Sequence, residues 1–249
     1  MIKRTLYFGN PAYLKTENEQ LVAQLQNEAV ETKSIPIEDI GILILDHRQI
    51  TITQALMAKL LANNSAVITC DETHHPTGML LSLDGNSLQS KMFQIQTEAS
   101  IPLKKQLWQQ TVAAKIQNQA GMLSFQRAEH QLLLNLAASV KSGDSDNAEA
   151  QAAAYYWKKV FPATLSFRRE RHGPPPNNLL NYGYAILRAM LARSLVASGL
   201  LPTLGIHHRN QYNAYCLADD VMEPYRPFVD YVVFQIMRNN GAYLEMSPS

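Results

Sequence analysis

Cysteine is nearly absent from this chain. Its 249 residues hold two, Cys70 and Cys216. Two thiols so far apart provide neither a disulfide framework nor the paired spacing of a zinc knuckle, so a reducing, cytoplasmic setting is the simplest expectation. Long apolar runs are missing as well. Residues 1–20 carry no apolar signal core, and no stretch approaches the roughly 20 apolar residues of a membrane helix. Neither sign of charge is in excess: 22 Lys/Arg stand against 21 Asp/Glu, a net of +1, so bulk charge does not announce a nucleic-acid partner. Internal repeats and low-complexity tracts are absent.

What is present suits a folded globular chain of one large or two smaller domains, with 46% apolar residues. The charges are unevenly spread. Residues 1–150 carry 12 basic and 15 acidic side chains, and residues 151–249 carry 10 and 6, so the second part is the basic one.

The first part reads as strands. Residues 2–9 alternate apolar and polar, Asn10-Pro11 makes a turn, and β-branched segments follow at Ala29–Lys33, Ser34–Pro36, Gly41–Leu45 and Ser65–Cys70. One helix is expected over Ile52–Asn63, capped by Thr51 or Thr53. Beyond Asp84-Gly85-Asn86 glycine becomes rare and helical periodicity takes over. Helices are expected over Lys104–Gln119, Met122–Leu136, Ala148–Phe161 (capped by Asp146 or Asn147), from Asn177 or Asn178 through Val196, and about Ala218–Asn239. The pattern is α+β: a small β-rich domain over 1–86, then a larger all-α domain over 87–249.

The chemistry concentrates in Gly199–Asp230, GLLPTLGIHHRNQYNAYCLADDVMEPYRPFVD. Asp220 and Glu223 are three apart and share a helix face. His208 lies fifteen residues before Glu223, across a segment long enough to fold back. Imidazole with carboxylates is a ligand set for Mn²⁺, Mg²⁺ or Zn²⁺. Each residue also has a plainer use: His207 and His208 as ordinary core or surface histidines, Asp219 and Asp220 as a helix cap, Glu223 as a residue strained by Pro224. Pro224 lacks an N–H, so a continuing helix would leave the Asp220 carbonyl unpaired. Glu149, in the first turn of a helix, also complements the helix dipole. Cys70-Asp71-Glu72-Thr73-His74-His75 gathers metal-ligating types on a tight turn, where adjacent side chains rarely converge on one ion, and it is set aside.

Arg168, Arg169, Arg171 and His172 form a basic loop whose guanidinium groups match phosphate. Lys158, Lys159, Arg188, Arg193, Arg209 and Arg226 extend that surface, and one of Tyr155, Tyr156 and Trp157 is a candidate for base stacking.

Three long segments carry a family resemblance: AEAQAAAYYWKKVF, PPPNNLLNYGYAILRAML and GLLPTLGIHHRNQYNAYCLADDVMEPYRP, with TCDETHHPTGMLLSL in the β-rich part. Together they resemble the CRISPR-associated adaptation integrase (Cas-one) family, in the form found in type II systems, over nearly the whole chain. The resemblance implies an N-terminal β-sandwich domain and an all-α catalytic domain. It implies metal ligands at Glu149, His208 and Glu223, with Asp220 beside them and His207 outside the set, and Mg²⁺ or Mn²⁺ as the ion. It further implies a homodimer, a small Cas-two partner, and double-stranded DNA as substrate. The implied activity is insertion of short spacer DNA into a repeat array. A general nuclease on branched DNA or a non-catalytic DNA-binding scaffold are the alternatives. Members usually run on past the position of Ser249, and Ala150 stands where many have glycine.

Overall fold

A computed structural model describes residues 3–25, 32–162 and 166–240. The expected strand at Ala29–Lys33 falls partly outside them, as does the tail from Gly241. The chain divides into two compact units. Among the described residues, one takes in the chain up to Phe93 with Ala192–Leu200; the other holds Gln94–Leu191 and residues 201–240.

The first unit has two four-stranded sheets. In one, β1 (Arg4–Phe8), β5 (Ile40–Leu45) and β7 (Ala66–Cys70) run parallel, and β8 (Pro76–Leu80) closes the edge antiparallel to β7. In the other, β4 (Thr32–Pro36), β3 (Gln20–Leu25) and β2 (Ala12–Glu17) form an antiparallel meander, with the two-residue β6 (Thr51–Ile52) parallel to β2. Both sheets send side chains into one core, Leu14 and Leu21 from the second, Leu43 and Val67 from the first. Leu56 and Leu60 of α1 (Gln54–Ala62) complete it. The Thr53 hydroxyl accepts the Leu56 N–H and caps α1, as expected. The β2–β3 hairpin is an addition to the expected strands. Its turn, Asn18-Glu19, holds both residues at positive φ.

The second unit is helical. Past α2 (Gln89–Glu98), its spine is α3 (Ile101–Phe125), one uninterrupted 25-residue helix where the periodicity predicts two. Gly121 does not break it: the cost of a helical glycine is about 1 kcal/mol. Burial of Trp108, Val112, Ile116 and Leu123 on the same helix outweighs that. Around α3 lie α4 (Gln131–Ser139) and α5 (Ala148–Trp157). The described elements continue with α6 (Asn177–Ala197), α7 (Cys216–Met222) and α8 (Arg226–Asn240). The single helix expected at Ala218–Asn239 is therefore two, joined by a 3₁₀ turn at Glu223–Tyr225. Tyr155, Tyr156 and Trp157 all pack on or in the core, and Tyr156 is fully buried.

Helix α5 is capped differently from expectation. Asn147 sits in the left-handed region (φ 56°) and makes no side-chain cap. The Asp144 carboxylate instead accepts the N–H groups of Ala148 (2.8 Å) and Glu149 (3.1 Å). This fixes the first turn of α5, and so the start of the Glu149 side chain.

Candidate active site

Three short pieces of the helical unit meet on α3. The first turn of α5 brings Glu149, and the 3₁₀ turn after α7 brings Glu223. Both carboxylates reach Lys115 in the middle of α3: its Nζ lies 2.6 Å from Glu149 Oε1 and 2.6 Å from Glu223 Oε2. The two acids, 74 positions apart in sequence, therefore present oxygens separated by no more than twice 2.6 Å. Glu223 is buried, and its Oε1 also takes a 2.8 Å contact from Arg226 Nε. Its Oε2 is ion-paired with Lys115 but receives no well-directed hydrogen bond.

The turn that carries Glu223 is held from two sides. The Asp220 carbonyl, expected to be unpaired, accepts the Glu223 N–H because the chain tightens to 3₁₀ spacing before Pro224. The Pro224 carbonyl accepts the Asn118 side-chain amide at 2.7 Å, which ties the turn to α3 three residues beyond Lys115.

His208 is positioned by Asp220. This carboxylate is fully buried inside α7, so it is not a helix cap. It accepts the backbone N–H groups of Ile206 (2.6 Å), His207 (2.9 Å) and His208 (3.2 Å). It also meets the His208 Nδ1 at 2.5 Å. The loop can wrap this tightly only because residue 205 is glycine: a Cβ there would fall 2.3 Å from the His208 carbonyl oxygen. With Nδ1 committed to Asp220, Nε2 is the ring nitrogen left to bind a ligand. His207 turns elsewhere. Its ring stacks on Trp108 at 4.2 Å with only 3° between planes, while His208 meets Trp108 edge-on at 5.7 Å.

The electrostatics follow the contacts. The hydrogen bond that His208 donates to Asp220 raises the His208 pKa, opposed by burial and assisted by the charges of Asp220, Glu223 and Asp219. Burial works to raise the Glu223 carboxyl, but the cations Arg226 and Lys115 overcome it and hold the pKa low. Burial works to lower Lys115, and the charges of Glu223 and Glu149 more than offset it. The result is a buried, charge-balanced cluster of two carboxylates, an ammonium and a guanidinium, with an imidazole near enough to sense Glu223.

Among the described residues no three His, Cys, Asp or Glu side chains stand in a ready-made ligand arrangement. Lys115 sits between the two acids. The place where two carboxylates face one another already holds a positive group. That ammonium is a stand-in cation, and the donors around it, two carboxylates and a neighbouring imidazole held by a carboxylate, are those that suit Mg²⁺ or Mn²⁺. The residues present are of the kind that could hold such an ion, at the place the Lys115 ammonium now fills.

The basic residues sort into two kinds. Arg188 makes a bidentate pair with Asp219 (2.6 and 2.9 Å), and Arg169 donates to Asn177 and Asn181 while lying over the Tyr184 ring. Both are engaged by the protein itself. Arg168 pairs with Glu170 at the surface, and Lys158, Arg171 and Arg209 are exposed. Arg209 lines a cleft of about 380 Å³ next to His207 and Trp108, together with Lys104 and Lys105. Among the described residues none of these three cations has an acidic partner. Lys104, Lys105, Trp108 and Lys115 all lie on α3, whose sequence reads only as a packing helix. The available clue is Lys115 itself, seven residues after Trp108 and thus on the apolar stripe, where a charge needs a reason.

In the β-rich unit, the turn after β7 is folded on Asp71, whose carboxylate accepts from the Thr73 and His75 N–H groups. His74 Nδ1 lies 3.0 Å from Asp46, and burial together with Asp46 pushes the Cys70 thiol up to about 12.

A unit of two packed sheets, followed by a helical unit in which Glu149 and Glu223 meet on Lys115 and Asp220 holds His208, defines a two-domain architecture. The chain belongs to the CRISPR-associated Cas1 protein family, whose model matches residues 6–243. It is 38% identical to the CRISPR-associated endonuclease Cas1 of Neisseria meningitidis serogroup C (strain 8013), over the whole of this chain and 80% of that protein. It is 27% identical to a CRISPR-associated endonuclease Cas1 of Pyrobaculum aerophilum, over 82% of this chain and 73% of the relative. Among solved structures it resembles a casposase bound to integration product (TM-score 0.76, 21% identity, 96% of this chain and 74% of that one). It also resembles part of a Cas6-RT-Cas1–Cas2 complex (TM-score 0.72, 25% identity, 96% of this chain and 28% of that one).

Proposed function

We propose that the chain is a DNA integrase and endonuclease of CRISPR adaptation that inserts short spacer DNA into a repeat array, with Glu149, His208 and Glu223 holding one Mg²⁺ or Mn²⁺. The observation that carries the reading is the meeting of Glu149 and Glu223 on a single positive group beside an imidazole whose Nδ1 is taken. The ion, when bound, polarises the scissile phosphate and offsets charge growing on its oxygens. The chain's own residues do the rest. Asp220 fixes the His208 ring and leaves Nε2 as the nitrogen to meet a ligand. Arg226 keeps Glu223 ionised and in place. Lys104, Lys105 and Arg209 offer charge to the DNA backbone, with Lys158, Arg168 and Arg171 as further surface contacts.

Attack by a 3′-hydroxyl on the phosphodiester forms a new P–O bond, breaks the old one with release of the target strand's own 3′-hydroxyl, and so joins strands; attack by water expels the same hydroxyl and only cuts. The Neisseria and Pyrobaculum relatives are both called endonucleases, which favours keeping hydrolysis as a second outcome of one site. The likeness to a Cas1–Cas2 assembly supports a small Cas2-type partner, with a homodimer of this chain and double-stranded DNA completing the complex. Two unpaired cysteines suit the cytoplasm, and no helix among the described residues is long and apolar enough to cross a membrane. Strand transfer into a repeat-bearing plasmid, measured with the wild type and His208→Ala, tests the site. Loss of joined product in the variant is expected, and undiminished product would remove His208 from it.

A further inference from the structure

Glu149, His208 and Glu223 have a role in the proposed reaction; Lys115 as yet has none, although it touches two of them. Its side chain is 12% exposed, against 26% for Glu149 and 6% for Glu223, so this is a built contact and not a surface pairing. It is also rigidly based. Val112 and Ile116, on either side of it along α3, are fully buried. Asn118, three residues further on, anchors the Pro224 carbonyl, so the same helix positions both the ammonium and the turn that bears Glu223. The base is fixed, and the flexible four-carbon stem leaves the head as the mobile part.

The charge balance constrains how an ion can enter. Glu149 and Glu223 are matched by Lys115 and Arg226, and the cluster as it stands is neutral. A divalent ion that takes the ammonium's place leaves Glu149, Glu223 and Arg226 with one positive charge in excess, and leaves the displaced ammonium without its anion; both are costly without a further anion. A DNA phosphodiester is that anion, and it is also the partner the displaced ammonium needs.

We infer that Lys115 couples metal and DNA binding: it fills the cation place in the metal-free protein, lowers divalent affinity in the absence of DNA, and moves to the DNA backbone when both ligands are bound. This rests on the metal-dependent reading of the site. Coupling of this kind is reciprocal, so DNA tightens the metal by the same factor by which the metal tightens DNA.

The test is Mn²⁺ titration of the full chain, followed by electron paramagnetic resonance of the free ion, with and without a short DNA duplex. For the wild type, the duplex should tighten Mn²⁺ by about ten-fold, within the usual range of such couplings. Lys115→Gln should bind Mn²⁺ about ten-fold tighter than the wild type without DNA, and gain little when DNA is added. In chelator the same variant should unfold at a lower temperature than the wild type, because two carboxylates then face each other without their ammonium, and Mn²⁺ should raise its midpoint more. Independent binding of Mn²⁺ and duplex by the wild type would overturn the inference without any variant. A folded Lys115→Gln protein with unchanged or weaker Mn²⁺ affinity would overturn it too. Glu149→Gln separates the two readings. Mn²⁺ binding that survives this change sinks the metal site itself, whereas binding that needs Glu149 but ignores Lys115 sinks only the coupling.

Discussion

The His208 Nδ1 lies 2.5 Å from Oδ1 of Asp220, a carboxylate with no solvent exposure that also gathers the N–H groups of residues 206, 207 and 208. Asp220 thus sets both the loop path and the tautomer of the imidazole. Asp220→Asn keeps the size but offers one acceptor oxygen where two are used. Mn²⁺ affinity should fall by about 10–100-fold with the protein still folded. Calorimetric titration checks this, and unchanged affinity would mean that His208 needs no such support.

Lys104, Lys105 and Arg209 line one cleft without acidic partners among the described residues, next to the Trp108–His207 stack. Each phosphate contact contributes about 0.9 to the slope of log affinity against log salt. Lys104→Gln with Arg209→Gln should lower that slope by nearly 2 for duplex DNA. A slope equal to that of the wild type would place the DNA elsewhere.

Arg188 behaves differently. Its guanidinium is spent on Asp219, which also accepts from Asn213 at 2.7 Å. Arg188→Ala should cost about 2 kcal/mol of stability, the scale of hydrogen bonds to a charged group, seen as a drop of several degrees in the unfolding midpoint. Its salt slope for DNA should match the wild type, in contrast to the cleft variants.

Asp230 is fully buried and accepts hydrogen bonds from Tyr156 (2.8 Å) and Tyr184. Burial pushes its pKa up to about 6 in spite of those bonds and of Arg226 and Arg169. A raised carboxyl pKa means the folded protein holds the proton more tightly than the unfolded chain. The associated stability is present at low pH and lost as pH rises through about 6. Between pH 4 and 6 the wild type should lose stability relative to Asp230→Asn by up to about 1.4 kcal/mol per pH unit. Denaturant midpoints across that range check it, and parallel profiles for the two proteins would contradict it.

Much of the fold is legible in the sequence because local and tertiary preferences agree. Thr53 caps α1 and the run Ile40–Leu45 forms a central parallel strand, as apolar periodicity requires. The failures have physical causes. The β2–β3 hairpin turns on Asn-Glu at positive φ, where no glycine flags it. The break between α7 and α8 comes from a 3₁₀ turn that relieves Pro224 while leaving the apolar pattern continuous. At the site, residue type and resemblance point to Glu149, His208, Asp220 and Glu223, and the acid pair and the His208–Asp220 contact are present in the fold. Lys115 shows in the sequence only as a charge on the apolar stripe of α3, because its meaning depends on two acids brought to α3 from elsewhere in the chain.

The most direct test of the metal site is an anomalous difference map from a crystal soaked in Mn²⁺. One peak is expected at about 2.0–2.3 Å from a Glu149 oxygen, a Glu223 oxygen and the His208 Nε2, with the Lys115 ammonium moved away. A map without that peak, with Lys115 still bridging the two carboxylates at saturating Mn²⁺, would contradict the site.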